Sequence, residues 1–124
     1  MPRMASTIPT EEQDQIKLAT WLSLKGIKFF AIPNGGKRNY REAVKLKRQG
    51  VAPGVPDLMI PSPRGSYCGL FIELKRVKGG KLSIDQRNWL QYLREQNYWA
   101  DCAAGFDQAK EIVLHYMSLA PKTL

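Results

Sequence analysis

The feature that most restricts the fold of this sequence is an alternating segment, Gly69–Lys75 (GLFIELK). Leucine or isoleucine stands at positions 70, 72 and 74, so these apolar side chains share one side of an extended chain. Glu73 and Lys75 fall on the opposite side, roughly 7 Å apart along the strand. The segment therefore predicts a strand with one apolar face and with a carboxylate beside an amine on its other face.

The remaining elements are bounded by recognisable start and stop signals. Three capping boxes predict three helix starts. In a capping box, the side chain of the residue before the helix accepts the backbone N–H of the third helical residue, and the side chain of that third residue in turn accepts the N–H of the residue before the helix. The three boxes are formed by Thr10 with Gln13, Asn39 with Glu42, and Ser83 with Gln86.

The element order follows from these signals. The first three helices are expected over 10–25, 39–50 and 83–96, and Asp107 is expected to cap a fourth. Apolar runs at 28–32, 57–60 and 98–103 predict three strands in addition to 69–75. The order α β α β β α β α predicts an α/β fold with a mixed β-sheet flanked by helices.

Helical spacing predicts which side chains face the core. In the first helix Ile16, Ala19 and Leu22 form the expected inward stripe. Glu12 precedes Ile16 by four residues, so its carboxylate is expected to point toward the interior. The later helices are expected to bury Trp89, Leu90, Leu93, Ile112, Val113, Tyr116 and Leu119.

The turn around Gly65 is rich in Pro, Ser and Gly and predicts a hairpin between its two flanking strands. Centring the hairpin there places Leu58 opposite Ile72 and Asp57 opposite Glu73. Directly opposite side chains lie about 5 Å apart, where two carboxylates repel each other. A hard divalent cation offsets this repulsion, since Mg²⁺ takes one or two carboxylates and completes its shell with water and phosphate oxygens.

Other groups would complete such a metal site. Glu12 would hold the cation directly or through water, and the backbone carbonyl of Leu74 is a further candidate ligand. Lys75 would orient the attacking water, lower its pKa or neutralise charge on phosphorus. Gly54 permits a close approach by the loop that precedes Asp57. These residues predict metal-dependent hydrolysis of phosphodiesters.

The net charge of the chain also indicates a negatively charged partner. The 19 Lys and Arg residues exceed the 11 Asp and Glu residues by 8, and an excess of this size on a chain of 124 residues favours a polyanion. The basic residues crowd two stretches, 37–48 and 75–87, although a solvated helix face is the alternative for any one charge run. The residues expected to contact nucleic acid are Asn34, Lys37, Arg38, Arg41, Lys45, Arg48, Arg76 and Lys78.

Several classes of protein are disfavoured by the composition. The one histidine, His115, leaves no pair for histidine-based zinc or nuclease chemistry, and Cys68 and Cys102 lack metal or redox spacing. No apolar run approaches the roughly 18 residues that span a bilayer, and the N-terminus lacks the apolar stretch of a secretory signal. A cytoplasmic location is expected, with reduced thiols and with neither a membrane nor a small-molecule cofactor as partner.

The motifs together resemble a known nuclease family. Val55–Asp57 followed by Ile72–Lys75 resembles the PD-(D/E)XK nuclease signature. The wider set is similar to the VRR-NUC family, the virus-type replication-repair nucleases, over residues from about 11 to 117. It comprises Glu12, Gln15, Pro33, Asn34, Gly50–Asp57 (GVAPGVPD), Ile72–Lys75 (IELK), Ser83, Gln86 and Trp89.

The resemblance implies a restriction-endonuclease-like fold and cleavage of DNA with Mg²⁺ or Mn²⁺. It assigns metal ligation to Asp57 and Glu73, catalysis to Lys75, and supporting roles to Glu12 and Gln86. It also implies a small phage or bacterial nuclease that acts as a homodimer on branched DNA such as four-way (Holliday) junctions, in an infected or prophage-carrying bacterial cell. Residues 10–120 would form a single VRR-NUC domain, with flexible tails at 1–9 and 121–124.

Each assignment has a structural alternative. An acid such as Glu12 in the first turn is also favoured by the helix dipole. Gln86 is also the third residue of a capping box, and Asn34 before two glycines is also a turn residue. For the whole chain, the alternative to a nuclease is a DNA-binding module that keeps the fold without catalysis.

Overall fold

The computed structural model describes residues 7–33 and 39–122. In these residues four helices and four strands follow one another in the order predicted from the sequence, which confirms the α/β fold class. The elements are α1 (Glu11–Leu24), β1 (Phe30–Ala31), α2 (Tyr40–Arg48), β2 (Leu58–Ile60), β3 (Leu70–Lys75), α3 (Ile84–Glu95), β4 (Trp99–Ala104) and α4 (Gly105–Ser118).

The four strands form one mixed sheet in the order β1-β2-β3-β4. The neighbours β1 and β2 are antiparallel, as are β2 and β3, whereas β4 runs parallel to β3. The hairpin register is the predicted one, because Leu58 pairs with Ile72 and Ile60 pairs with Leu70. This register fixes which side chains of β2 and β3 share a face.

Helices cover both faces of the sheet. The even-numbered residues of β3 pack with α1 and α4 in the larger core cluster, whose members include Leu18, Val113 and Tyr116. On the other face Phe71 packs with Leu90 and other residues of α3. The apolar side predicted for α3 is confirmed. In the described ranges, none of the helices is long and apolar enough to cross a membrane.

The inward face of α1 differs from the prediction. Ile16 is 60% exposed, whereas Leu18, Leu22 and Asp14 are buried. Glu12 is exposed, so the expectation that it points toward the interior is wrong. The helix is rotated relative to the expectation because Leu18 and Leu22, four residues apart, together reach the sheet and define the buried stripe.

The helix ends confirm two of the three predicted capping boxes, at Thr10 and at Ser83. Asn39 accepts the N–H of Glu42 and so supplies one half of the third. The prediction that Asp107 caps the last helix is wrong, because α4 begins two residues earlier at Gly105. A distant side chain takes that role, since Oδ1 of Asp14 accepts the N–H of Phe106 at 3.3 Å.

Side chains form hydrogen bonds with backbone groups on the outer edge of β4, the strand that lies beyond β3 in the sheet. The Nε–H of Arg94 donates to the carbonyl of Ala100 at 2.8 Å. The N–H of Cys102 donates to Oδ1 of Asp101 at 2.9 Å, and the N–H of Ala104 donates to Oε1 of Gln108 at 2.6 Å. These bonds satisfy groups that an unpaired edge strand otherwise offers to another chain.

The loop before β2 lies tightly against the start of α3. Gly54 has φ +91°, and a Cβ at this position would lie 2.6 Å from the backbone carbon of Asp85. Only glycine tolerates both the left-handed backbone and this approach. The close approach predicted for Gly54 is confirmed, and it ties α3 to the segment that leads into Asp57.

Replacement of Gly54 tests this contact. We expect Gly54→Ala to lower the free energy of unfolding by about 3 kcal/mol, because backbone strain adds to a clash with Asp85. Gly79→Ala is the matched control, since Gly79 has φ +83° with no atom near its Cβ position, and we expect a loss of about 1 kcal/mol there. Urea unfolding measures both, and equal losses would contradict the close packing of Gly54 on α3.

Candidate active site

Two carboxylates meet where β2 begins. Asp57 immediately precedes β2, and its Oδ2 accepts the N–H of Leu74 at 2.7 Å. Asp57 directly precedes Leu58, which pairs with Ile72, so Asp57 lies beside Glu73. The Asp57 side chain lies within hydrogen-bonding reach of Glu73 and raises the pKa of its carboxyl. The hairpin thus brings the two acids onto one face, as predicted.

Glu73 is the most unusual group of the site, because it is a carboxylic acid that is only 2% exposed. Burial raises its pKa to about 9, and the hydrogen bond to Asp57 and the charge of Asp57 act in the same direction. Lys75 lowers the pKa and Glu11 raises it, both more weakly. Oε1 of Glu73 is buried and accepts no hydrogen bond from the described residues. This oxygen therefore has a free acceptor position.

Lys75 lies between two acids at the end of β3. Its Nζ is 3.9 Å from Oε2 of Glu73 and 3.8 Å from Oε1 of Glu11. The Lys75 side chain is only 12% exposed, so the amine is held in the site instead of extending into solvent. The alternation of β3 explains the arrangement, because residues 73 and 75 share a face.

The acid that α1 contributes is Glu11. Sequence reasoning selected Glu12 as a metal ligand and supporting acid, but Glu12 is exposed and Glu11 is the residue that contacts Lys75. Successive helical residues are about 100° apart. The orientation of α1 that buries Leu18 and Leu22 therefore turns Glu11 toward Lys75 and Glu12 away from it. The spacing could have shown this, because Glu11 precedes Leu18 by two helical turns and Leu22 by three, and therefore shares their side of α1.

The donor set fits a hard divalent cation. It consists of oxygen atoms from Asp57 and Glu73, including the unpartnered Oε1 of Glu73. In residues 7–33 and 39–122 no three His, Cys, Asp or Glu side chains converge as a metal cage. Two carboxylates suffice for Mg²⁺ or Mn²⁺, because Mg²⁺ keeps waters and substrate phosphate oxygens in its remaining positions. The carbonyl of Leu74 stays a predicted ligand, while its N–H orients Asp57.

One neighbour of the site was missed by sequence reasoning. Cys102 lies opposite Glu73 in the parallel pairing of β3 and β4 and is half-buried. Burial raises the pKa of its thiol, and the nearby charge of Glu73 raises it further. Cys102 is therefore a neutral thiol at physiological pH and lines the site as a small apolar group. Strand pairing between distant segments leaves no local signal in the sequence.

Gln86 lies at the first turn of α3, as predicted, and is half-buried. Its Oε1 accepts the N–H of Ser83 at 2.8 Å, and its own N–H donates to Oγ of Ser83. This is the structural alternative considered for Gln86, and a supporting role in the active site remains a prediction. The helix start that it stabilises packs against Gly54, in the loop that leads to Asp57.

The predicted nucleic-acid contacts fall into two groups in the described structure. Arg41, Lys45 and Arg48 are exposed on α2. Arg76 and Lys78 are exposed directly after β3, and Nη2 of Arg76 donates to the carbonyl of Ile8 at 3.3 Å. The other three predicted contacts, Asn34, Lys37 and Arg38, lie outside the described residues.

The fold and the two acids beside a lysine define a nuclease-type domain, and comparison with known proteins identifies the family. The profile of the VRR-NUC domain family matches residues 10–107, so the chain belongs to the VRR-NUC family. The solved structure of a VRR_NUC domain protein superimposes with a TM-score of 0.74 and 28% sequence identity, over 93% of each chain. No curated protein matches the chain. The family resemblance found in the sequence is confirmed, and DNA is the substrate that a nuclease domain implies.

The raised pKa of Glu73 makes the stability of the metal-free protein depend on pH. The carboxyl titrates at about 4.5 in the unfolded chain and about 9 in the folded protein, so folding takes up a proton between these values. The free energy of unfolding should therefore fall as pH rises through this window, by up to about 1.4 kcal/mol per pH unit. Glu73→Gln should remove this fall.

The measurement is urea unfolding in EDTA between about pH 5 and pH 8.5, where the slope with pH reports the protons bound on folding. Glu12→Gln is the control, because it removes an exposed acid of the same type and should leave the slope intact. A wild-type stability that rises steadily over this range would contradict a protonated Glu73.

Proposed function

We propose that this VRR-NUC domain is a metal-dependent DNA endonuclease that hydrolyses phosphodiester bonds with Mg²⁺ or Mn²⁺. The observation that supports this best is the buried carboxyl of Glu73, which lies beside Asp57 and 3.9 Å from Nζ of Lys75. Two apposed acids on a basic protein oppose binding of a polyanion unless a cation neutralises them. A non-catalytic DNA-binding module would gain nothing from such a pair.

Asp57 and Glu73 would hold the divalent cation, with the carbonyl of Leu74 as a further ligand. When bound, the cation would supply Lewis-acid stabilisation of charge and activation of a water. The Leu74 N–H keeps the Asp57 carboxylate oriented toward Glu73. A divalent cation binds the ionised form of a carboxylate, so loss of the Glu73 proton would accompany its binding.

Lys75 would act on the phosphate directly. Its amine is held close to Glu73 and Glu11 and is nearly shielded from solvent. A fixed positive charge in such a place orients the attacking water and stabilises the negative charge that develops on phosphorus. We assign Glu11, in place of Glu12, as the acid that positions this amine, because its Oε1 lies 3.8 Å from Nζ.

The preferred substrate is proposed to be branched DNA such as a four-way junction, and the active species a homodimer. Family resemblance is the support for both. A two-fold symmetric dimer presents two active sites in opposite orientations, which suits paired cuts across a symmetric junction. The net charge of +8 supports affinity for the phosphate backbone of such substrates.

Replacement of Lys75 tests the assignment of the active site. We expect Lys75→Ala to lower the cleavage rate by about 100- to 1,000-fold, because the charge that stabilises the transition state is lost, while DNA binding persists. Lys25→Ala is the control, since Lys25 is an exposed lysine at the opposite end of α1. Labelled linear, flap and four-way DNA are incubated with Mg²⁺, Mn²⁺ or EDTA, and the products are resolved on denaturing gels.

The substrate panel also decides between the proposed functions. Cleavage in Mg²⁺ or Mn²⁺ but not in EDTA is the expected result, with four-way DNA cut fastest. Binding without cleavage of any substrate in any metal would leave the non-catalytic module. Light scattering of the purified protein measures the oligomeric state, and a monomer that retains full junction cleavage would refute the dimer.

The two adjacent acids of α1 provide a matched pair of variants. We expect Glu11→Gln to lower the cleavage rate by about tenfold or more, because Lys75 loses the partner that fixes its amine and small displacements are costly. Glu12→Gln should cleave like the wild type, since Glu12 is exposed. Single-turnover rates on the best substrate measure both. Loss of activity in Glu12→Gln with retention in Glu11→Gln would instead support the role that the sequence predicted for Glu12.

A further inference from the structure

Helix α2 differs from the other three helices in how it is held. It contains nine residues, Tyr40–Arg48, and none of them is buried in the described structure. Extensive contacts with the sheet or with other helices hold α1, α3 and α4, whereas the described residues provide no comparable contacts for α2. Its ends are nevertheless well formed, since Asn39 caps the start and Gly50, at φ +97°, follows the end. The sequence specifies a helix at this place, although none of its nine residues is buried by the described part of the chain.

A helix of this length is marginal by itself. Helices shorter than about 12–15 residues are unstable in water without tertiary contacts, because nucleation is unfavourable. Tyr40 is 84% exposed and Val44 is 38% exposed, one helical turn apart, so an apolar stripe also faces solvent. A partner that contacts this face would therefore stabilise α2.

The charges on α2 indicate the chemistry of that partner. Arg41, Lys45 and Arg48 form a basic row at helical spacing beside the apolar stripe, and Lys47 flanks its other side. The sole acid of the helix is Glu42. Two copies of this helix, each with an excess of three positive charges, would repel each other on contact. A phosphate backbone is complementary to the same surface.

We propose that α2 is a docking helix for duplex DNA next to the cleavage site and that bound DNA stabilises its helical state. This inference rests on the proposed nuclease function. Arg41, Lys45 and Arg48 contact consecutive phosphates, and Tyr40 with Val44 packs against the sugar groups beside them. The helix becomes ordered when it binds the DNA, so part of the binding free energy offsets the conformational entropy that α2 loses.

The attachment of α2 to the sheet links this docking to the active site. The chain leaves the sheet after Ile32 and returns at Asp57, and the N–H of Ile32 donates to the carbonyl of Asp57 at 2.8 Å. The segment that contains α2 therefore begins and ends beside Asp57, a residue that would hold the cation. DNA bound on α2 restrains the backbone that positions Asp57.

Hydrogen–deuterium exchange tests the proposal. The Lys75→Ala protein is measured in metal-free buffer with and without a synthetic four-way junction, so that no cleavage occurs. We expect the amides of residues 40–48 to exchange at least tenfold more slowly with DNA bound. A triple variant, Arg41→Ala with Lys45→Ala and Arg48→Ala, should lose this protection and lower the slope of log affinity against log salt by about 3.

A second triple variant is the control. Lys25, Lys28 and Lys122 are exposed lysines elsewhere on the chain, and their replacement by Ala removes the same number of charges. We expect this variant to keep the protection of α2 on DNA, with a smaller change in the salt slope than that of the α2 variant. Equal effects of the two variants would mean that net charge, and not α2, determines binding.

The outcomes separate this inference from the nuclease proposal. Wild-type cleavage combined with unchanged exchange in α2 would overturn the docking helix and leave the nuclease intact. Protection that follows protein concentration in the absence of DNA would assign α2 to contact between copies of the chain and would also overturn it. Absence of both DNA binding and cleavage would contradict the proposed nuclease function and the docking helix together.

Discussion

The hydrogen bond from the Leu74 N–H to Asp57 is the interaction on which the site depends, because it fixes a carboxylate from one strand onto the neighbouring strand. It holds Asp57 beside Glu73, where burial and mutual repulsion keep a proton on the pair. The arrangement is unfavourable for two ionised acids in the metal-free protein. Under the proposed function, a divalent cation would take the place of the Glu73 proton and neutralise the two acids.

The rest of the fold supports this pair from several directions. Gly54 allows the loop before Asp57 to lie against α3, and α1 brings Glu11 to Lys75. The orientation of α1 is set by Leu18 and Leu22 in the core, so packing on one face of the sheet determines which acid reaches the site at its end. The geometry of the candidate site is thus a consequence of apolar packing as well as of the hairpin.

The sequence predicted the parts of the site that depend on local rules. Strand alternation and the turn near Gly65 gave the correct register, and with it the shared face of Asp57, Glu73 and Lys75. The expected inward orientation of Glu12 was wrong because a helix with several apolar residues admits more than one inward stripe. The cap of α4 failed because Asp14 lies 92 residues from Phe106, and contacts across such distances leave no pattern within a local window.

The satisfied outer side of β4 has a consequence for the behaviour of the molecule at high concentration. Arg94, Asp101 and Gln108 bind backbone groups that would otherwise recruit a strand from another molecule. Fibril growth by addition of strands is therefore hindered at this end of the sheet. At the opposite end β1 offers only two residues, too short a template for stable recruitment. Both edges of the sheet therefore offer little opportunity for amyloid-like stacking between molecules.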